Sequence, residues 1–185
     1  MRVTKRACVY AVAAALAVAA YTFVLGTPQS RAATKEPIRI GAVLSVTGGA
    51  SALGNSQMKT LHLFADEMNK NGGIGGRLVE LYAYDDESNS SKADRLGKRL
   101  LNNDKVIAII GASTTGSTMV LAALAQEAKV PIFSLAGGSV IANPLRSFVF
   151  VMGTSDSSNI ERIYQFMQRN RISKIGILTG TDGYG

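Results

Sequence analysis

The stretch IRIGAVLSVTGGASALG, residues 38–54, decides the fold of this 185-residue chain. Its first seven residues form a short apolar run with β-branched side chains and predict a strand at residues 38–44. A loop rich in glycine, serine and threonine follows. From about Gly54, apolar residues recur at three- and four-residue spacing, which predicts a helix to about residue 69. A strand joined to a helix by a short Gly-rich loop is the first half of a βαβ unit.

The same alternation continues along the chain. Further strands are predicted at residues 77–84, 106–110, 131–135, 148–152 and 174–180, and further helices at residues 90–103, 117–128 and 159–168. Ser90 or Ser91 is the predicted N-cap of the second helix. This pattern predicts an α/β fold, an open parallel sheet with helices on both faces. Because only TDGYG follows the last predicted strand, where a helix should begin, we expect the chain to be part of a longer protein.

The N-terminus has the composition of an export signal. Residues 1–6 carry three positive charges, residues 7–26 are uncharged, and SRA at residues 30–32 supplies the small residues of a cleavage site. We therefore predict a signal peptide at residues 1–32, and an uncleaved membrane anchor is the alternative. Cleavage would also remove Cys8, the only cysteine.

The net charge of the chain comes mainly from this N-terminal segment. The whole sequence has a formal charge of +7, from 20 basic and 13 acidic residues. Four of the basic residues and no acidic residue lie within residues 1–32, which leaves +3 for the remainder. Since no basic run remains there, binding to nucleic acid is not predicted.

Four loops lie at the predicted carboxyl ends of strands, which is where open parallel sheets bind ligands. All four are rich in Gly, Ser and Thr, and none contains Lys, Arg or His: SVTGGASALG at 45–54, GASTTGS at 111–117, SLAGGS at 134–139 and TGTDGYG at 179–185. Such loops offer backbone N–H groups and hydroxyls, and the first two lead into helix N-termini. They suit a small anion.

The first loop resembles a phosphate-binding loop with one decisive difference. Gly49 and Gly54 have the spacing of a Walker A motif and Ser56 occupies the hydroxyl position, but Asn55 replaces the lysine. Without that lysine a nucleoside triphosphate is poorly neutralised. A carboxylate carries one charge and needs only two or three N–H and hydroxyl donors.

Signals for catalysis are weak. GASTT approaches the nucleophile elbow, but Thr115 stands where the second glycine is required. His62, the only histidine, falls inside the first helix, which favours a structural role. The cluster YDDE at 84–87 is either a solvated strand end or half of a metal site. We therefore predict no enzyme, no catalytic residues, no metal site and no cofactor.

Several segments, in this order and spacing, resemble the periplasmic solute-binding proteins of branched-chain amino-acid ABC importers, the leucine/isoleucine/valine-binding type. They are IRIGAVLSVTGGASALG, MNKNGGIGGRLVELYAYDDESNSSKA, IGASTTGST, PIFSLAGGS and KIGILTGTDGYG. The resemblance implies a periplasmic protein of two α/β lobes that close on a ligand and present it to a membrane permease. Residues 33–152 would form the N-terminal lobe, and residues 153–185 the hinge crossover and the start of the second lobe. The complete protein would be a monomer.

The resemblance also implies the binding residues. Two loops would hold the charged end of the ligand, and an aromatic residue of the second lobe would pack on it; the residues are Ser113, Thr114, Thr115, Ala136, Gly137, Gly138, Ser139 and Tyr184. Leu53 stands where leucine-binding members have a tyrosine, which changes the apolar end of the pocket. The implied ligand is a small hydrophobic carboxylate, and both a branched-chain or related amino acid and an aromatic acid remain open. The alternatives are a ligand-sensing domain of a receptor or regulator with the same fold, and a nucleotide-dependent α/β enzyme.

Overall fold

The computed structural model describes residues 35–154 and 156–181. The strands in this part of the chain are β1 (Ile38–Leu44), β2 (Val79–Asp85), β3 (Ala108–Gly111), β4 (Ile132–Ser134) and β5 (Val149–Val151). The α-helices are α1 (Ser51–Lys70), α2 (Ser90–Arg99), α3 (Thr115–Ala128), α4 (Ser139–Ala142) and α5 (Asp156–Arg169), and a π-helical segment, Leu100–Asp104, continues α2. The predicted signal peptide and Tyr184 lie outside the described residues. Within those residues, no helix has both the length and the apolar character needed to cross a bilayer.

The five strands form one parallel sheet in the order β2-β1-β3-β4-β5. Ile40 of β1 pairs with Leu81 of β2 on one side and with Ala108 of β3 on the other, and Ile109 pairs with Ile132 of β4. Helix α1 packs on β1 and β2, while α2 and α3 pack together on the opposite face. The predicted fold class, an open parallel sheet with helices on both faces, is therefore confirmed.

The main core lies between the sheet and the α2–α3 pair. Val43, Ile109 and Ile132 enter it from three strands and meet Leu100 and Leu121, and all five are fully buried. Each such aliphatic side chain contributes about 1.5–3 kcal/mol of transfer free energy when it leaves water. This core fixes the positions of β1, β3 and β4, whose carboxyl ends carry the loops of interest.

One predicted strand is absent. Residues 174–180 have no regular secondary structure, and Ile177 and Leu178 are largely exposed. Their apolar pattern is that of a buried strand, but a strand forms only beside a partner. In the described part of the chain, no strand lies next to this segment, and the prediction is wrong for this structure.

Two local predictions also need correction. The N-cap of α2 is Asn89 and not Ser90 or Ser91, because the Asn89 side-chain oxygen accepts a hydrogen bond of 3.0 Å from the backbone N–H of Lys92. The short helix α4, between the predicted loop at 134–139 and the predicted strand at 148–152, was not predicted. It has four residues, too few to produce a periodic apolar pattern.

Candidate functional site

A cleft with a volume of about 450 Å³ opens at the carboxyl edge of the sheet. It is lined by the loops that follow β1, β3 and β4 and by the first residue of α5. The sheet runs from β1 to β2 in one direction and from β1 to β3 in the other, so the strand order reverses beside this cleft. This is where a doubly wound sheet leaves a crevice between its loops.

One wall of the cleft is apolar. It is formed by the loop and first turn of α1, through Gly49, Ala50, Ala52 and Leu53, and by Leu135 after β4. Leu53 is 55% exposed in the open cleft. This wall offers aliphatic surface to a ligand side chain, and burying that surface against a ligand is favourable.

The loop after β3, whose strand lies between β1 and β4 in the sheet, supplies polar residues to the lining. Thr114 caps α3, with its hydroxyl accepting a hydrogen bond of 3.4 Å from the Ser117 N–H, and Thr115 begins the helix. Both threonines line the cleft. The N-terminus of α3 therefore brings its partial positive charge and the Thr115 side chain to the same space, which suits a carboxylate.

Ser113 lines the cleft, but its hydroxyl is engaged within the protein. The Ser113 Oγ accepts a hydrogen bond of 3.0 Å from the Ser45 N–H and donates to the Gln57 side-chain carbonyl. Ser113 therefore ties the loop after β3 to the end of β1 and to α1. Gln57 was not singled out from the sequence, because a glutamine on a helix is ordinarily a solvent-facing residue.

The loop after β4 places Ala136 and Gly137 in the cleft, whereas Gly138 and Ser139, which were also predicted, do not line it. The Ala136 N–H donates to Ser134 Oγ at 3.2 Å. A Cβ on Gly138 would lie 2.6 Å from Thr115 Oγ1, so the glycine lets this loop pack directly against the first turn of α3. Six of the predicted site residues thus meet in one cleft: Leu53, Ser113, Thr114, Thr115, Ala136 and Gly137.

Asp156, which was not predicted, also lines the cleft. It is the first residue of α5 and is partly buried. Its Oδ1 lies 3.6 Å from the position that a Cβ on Gly137 would take. The sequence contained a usable signal, because β5 is parallel to the other strands and the loop after it must lie at the same edge.

The loop after β1 is held by Asp85. The Asp85 carboxylate accepts hydrogen bonds from the backbone N–H groups of Val46 (2.9 Å) and Thr47 (3.2 Å) and from Thr47 Oγ1 (2.7 Å). Burial raises the pKa of Asp85, but the hydrogen bonds from Thr47, Glu87 and Val46 outweigh that effect and hold the pKa below its usual value. The backbone N–H groups and the threonine hydroxyl at the start of the Walker-like loop therefore already donate hydrogen bonds to the Asp85 carboxylate.

The two other acidic residues of the YDDE cluster differ in their exposure, because Glu87 is exposed and forms an ion pair of 2.7 Å with Lys92, whereas Asp86 is internal. Asp86 is fully buried, and its Oδ1 accepts a hydrogen bond of 2.9 Å from the Ser88 N–H. The predicted solvated strand end thus describes Glu87, but it is wrong for Asp86, which is buried and hydrogen-bonded within the loop. In the part of the chain that the structure describes, no group of three or more His, Cys, Asp or Glu side chains is placed to hold a metal ion.

The chain is similar to several proteins of one kind. It is 25% identical over 150 residues to an amino acid binding protein of Pseudomonas aeruginosa, covering 79% of this chain and 40% of that protein. A branched-chain amino acid transporter substrate binding protein, LivJ of Streptococcus pneumoniae in complex with isoleucine, superposes with a TM-score of 0.61 at 30% identity, covering 65% of this chain and 35% of that one. A solute binding protein of an ABC transporter from Rhodopseudomonas palustris, in complex with 3,4-dihydroxy benzoic acid, superposes with a TM-score of 0.67 at 26% identity. The match covers 74% of this chain and 37% of that one.

This chain thus spans about two fifths or less of the length of these relatives. The profile of a family described as periplasmic binding protein matches residues 37–185, which is most of the chain and includes all three cleft loops. The resemblance drawn from the sequence motifs is therefore confirmed, and the chain belongs to the periplasmic binding protein family.

Proposed function

We propose that this chain forms the first lobe of an extracytoplasmic solute-binding receptor, which captures a small hydrophobic carboxylate and delivers it to an ABC import permease. The observation that supports this most directly is the cleft itself. Its lining includes both the N-terminus of α3 with Thr115 and the apolar surface of Leu53 and its neighbours. A ligand with one anionic end and one apolar end matches a cleft that has both a polar and an apolar part.

We assign the anionic end of the ligand to the polar part of the cleft and its apolar end to the apolar part. The α3 N-terminus and the Thr115 side chain hold the carboxylate, because helix N–H groups and a hydroxyl can neutralise a single negative charge. Leu53, Ala50 and Ala52 contact the apolar part of the ligand. Ser113 and Gln57 act indirectly, since their hydrogen bond connects the loop after β3 to α1.

Ligand capture is a closing motion and not a reaction. The cleft is open, and it is flanked by α5, none of whose residues is buried. A ligand that gains contacts with a second lobe only in the closed form shifts the open–closed equilibrium by its differential affinity for that form. The permease then recognises the closed receptor. Support for this role comes from the relatives whose names describe transporter substrate binding.

The test is a thermal-shift panel on the protein at its full natural length. The compounds are leucine, valine, phenylalanine, benzoate-type acids, and ATP with Mg²⁺. A ligand at 100 times its dissociation constant stabilises the protein by about 2.7 kcal/mol, which raises the melting temperature by several degrees. We expect a shift with at least one hydrophobic acid and none with ATP. A shift with ATP alone would contradict the proposal and favour the nucleotide-dependent alternative.

A further inference from the structure

Three buried side chains near the carboxyl edge of the sheet each have an oxygen atom without a hydrogen-bond partner among the described residues. These atoms are Ser45 Oγ, Asp86 Oδ2 and Ser117 Oγ. All three residues are 0% exposed, and none of them lines the cleft. Buried polar atoms in proteins are almost always hydrogen-bonded, so three unpartnered oxygens in one region need a partner.

The sheet places Ser45 beside Asp86. The last residue of β1 pairs with the last residue of β2, so Ser45 and Asp86 are the next residues on two neighbouring strands. The Asp86 N–H donates to the Leu44 carbonyl at 3.0 Å. Because side chains alternate along a strand, Ser45 lies on the face of Val43, and Asp86 on the face of Tyr84. Both of these residues pack in the core between the sheet and the α2–α3 pair.

Ser117 reaches the same region from α3. It lies one helical turn before Leu121, on the same face of the helix. A Cβ on Gly97 of α2 would lie 2.6 Å from Leu121 Cδ2, so this face of α3 packs closely on α2. Both helices begin at the carboxyl edge of the sheet. Ser117, in the first turn of α3, is therefore at the end of the helix pair nearest to Ser45 and Asp86.

A water molecule has the hydrogen-bonding capacity that these three atoms require. A buried water typically makes about three hydrogen bonds to polar groups that lack other partners. It can donate to the Asp86 carboxylate and accept from the hydroxyls of Ser45 and Ser117. A calcium or magnesium ion takes about six or more oxygen ligands, which exceeds the three unpartnered oxygens. We propose that Ser45, Asp86 and Ser117 bind one internal water molecule, which links the ends of β1 and β2 to the first turn of α3.

This water site supports the cleft from within the protein. The Ser45 N–H donates to Ser113 Oγ at 3.0 Å, and Ser113 lines the cleft. Ser117 belongs to the same helical turn as Thr115, which also lines the cleft. The water therefore connects two of the loops that shape the cleft, whichever ligand the cleft binds.

The first test is a crystal structure of the protein at its full natural length, at a resolution that shows ordered water. We expect density for one water whose oxygen lies about 2.5–3.2 Å from Ser45 Oγ, Asp86 Oδ2 and Ser117 Oγ. Direct hydrogen bonds among the three side chains, with no density between them, would overturn the proposal. A peak with about six oxygen ligands at about 2.0–2.6 Å would overturn it in favour of a metal ion.

A double-mutant cycle tests the same site in solution. Ser45→Ala and Ser117→Ala should each raise the unfolding equilibrium constant by about 2- to 10-fold, the range for one lost hydrogen bond. Because both serines act through one water, the double variant should raise it by less than the product of the two effects. Effects that multiply fully would show that the serines share no ligand, which would overturn the proposal.

Ser56→Ala is the matched control, because Ser56 is an exposed serine within α1. It should leave the unfolding equilibrium constant within about 2-fold of the unmodified protein. Combined with Ser117→Ala, it should give an effect equal to the product of the two single effects. Coupling between Ser56 and Ser117 as large as that between Ser45 and Ser117 would mean that the cycle detects no local site, and the proposal would fail.

Discussion

Gly138 provides a direct test of how the cleft is built. A Cβ added at this position would meet the Thr115 side chain at 2.6 Å from Oγ1, 2.7 Å from Cγ2 and 3.2 Å from Cβ. Ordinary contacts begin near 3.4 Å, so the closest of these falls short by about 0.8 Å. The backbone of Gly138 has φ −55°, which alanine adopts without strain. Gly138→Ala therefore acts through the contact with Thr115 and not through the backbone conformation.

The size of the effect follows from the burial of Thr115. This side chain is only 3% exposed, so it has little room to rotate away from the added methyl group. Overpacking of this kind costs about 1–3 kcal/mol of the free energy of unfolding. If the displaced hydroxyl also loses a hydrogen bond to the ligand carboxylate, affinity falls by about 10- to 100-fold. Both the stability and the affinity should therefore fall.

Urea unfolding and calorimetric titration with the best hydrophobic acid measure the two effects. Gly176→Ala is the matched control, because a Cβ there meets nothing within 4 Å. The double variant Gly138→Ala with Thr115→Ala removes both close atoms and should recover most of the lost stability, but not the affinity. Unchanged stability and affinity in Gly138→Ala would show that the loop after β4 does not pack on α3 in this way.

Three other changes probe the core, the loop after β1 and the apolar wall. Leu121→Ala, in the fully buried core, should lower the free energy of unfolding by about 2–5 kcal/mol in urea titrations. The folded-state pKa of Asp85 is lowered, so its contribution to stability is present above its ordinary pKa and is lost as the pH falls through the lowered value. Asp85→Asn should therefore be less stable than the unmodified protein at neutral pH, with the difference disappearing in acid; a constant difference would contradict the pKa shift. Leu53→Ala should lower affinity for a hydrophobic acid by about 5- to 30-fold, since a half-exposed side chain is covered only when ligand binds. Its melting temperature without ligand should stay close to that of the unmodified protein.

The local sequence pattern was sufficient to predict the five strands of the sheet. Strand β1 was predicted at its observed bounds, because the proline before the apolar run and the Gly-rich loop after it mark both ends of the strand. Helix starts were predicted too late: α1 begins at Ser51 and not at Gly54, and α3 begins at Thr115 and not at residue 117. The first turn of each helix contributes to the cleft lining, and apart from Leu53 its residues are polar or small, so it carries no apolar periodicity.

The remaining differences between the predicted and the observed structure arise from contacts between residues that are distant in the sequence. Residues 174–180 have a strand pattern, but pairing requires a neighbouring strand, which local sequence does not supply. Ser113 was predicted only as part of a ligand-binding loop, and the partner of its hydroxyl, Gln57, lies 56 positions earlier in the chain. Asp156 was missed because residues 152–156 were treated as a connection between lobes. The topology alone places them with the other carboxyl-edge loops.

Asp85 also explains why the Walker-like loop is not suited to phosphate. A phosphate loop needs its N–H groups directed at the ligand and a nearby cation to balance several negative charges. Here the N–H groups of Val46 and Thr47 donate to the carboxylate of Asp85, and the Ala50 N–H donates to Ser88. Asn55, in the place of the lysine, donates to the backbone carbonyls of Val46 and Ser51. The loop is thus held by hydrogen bonds within the protein and contributes small and aliphatic residues to the cleft lining, which agrees with the proposal that the N-terminus of α3 binds the anionic end of the ligand.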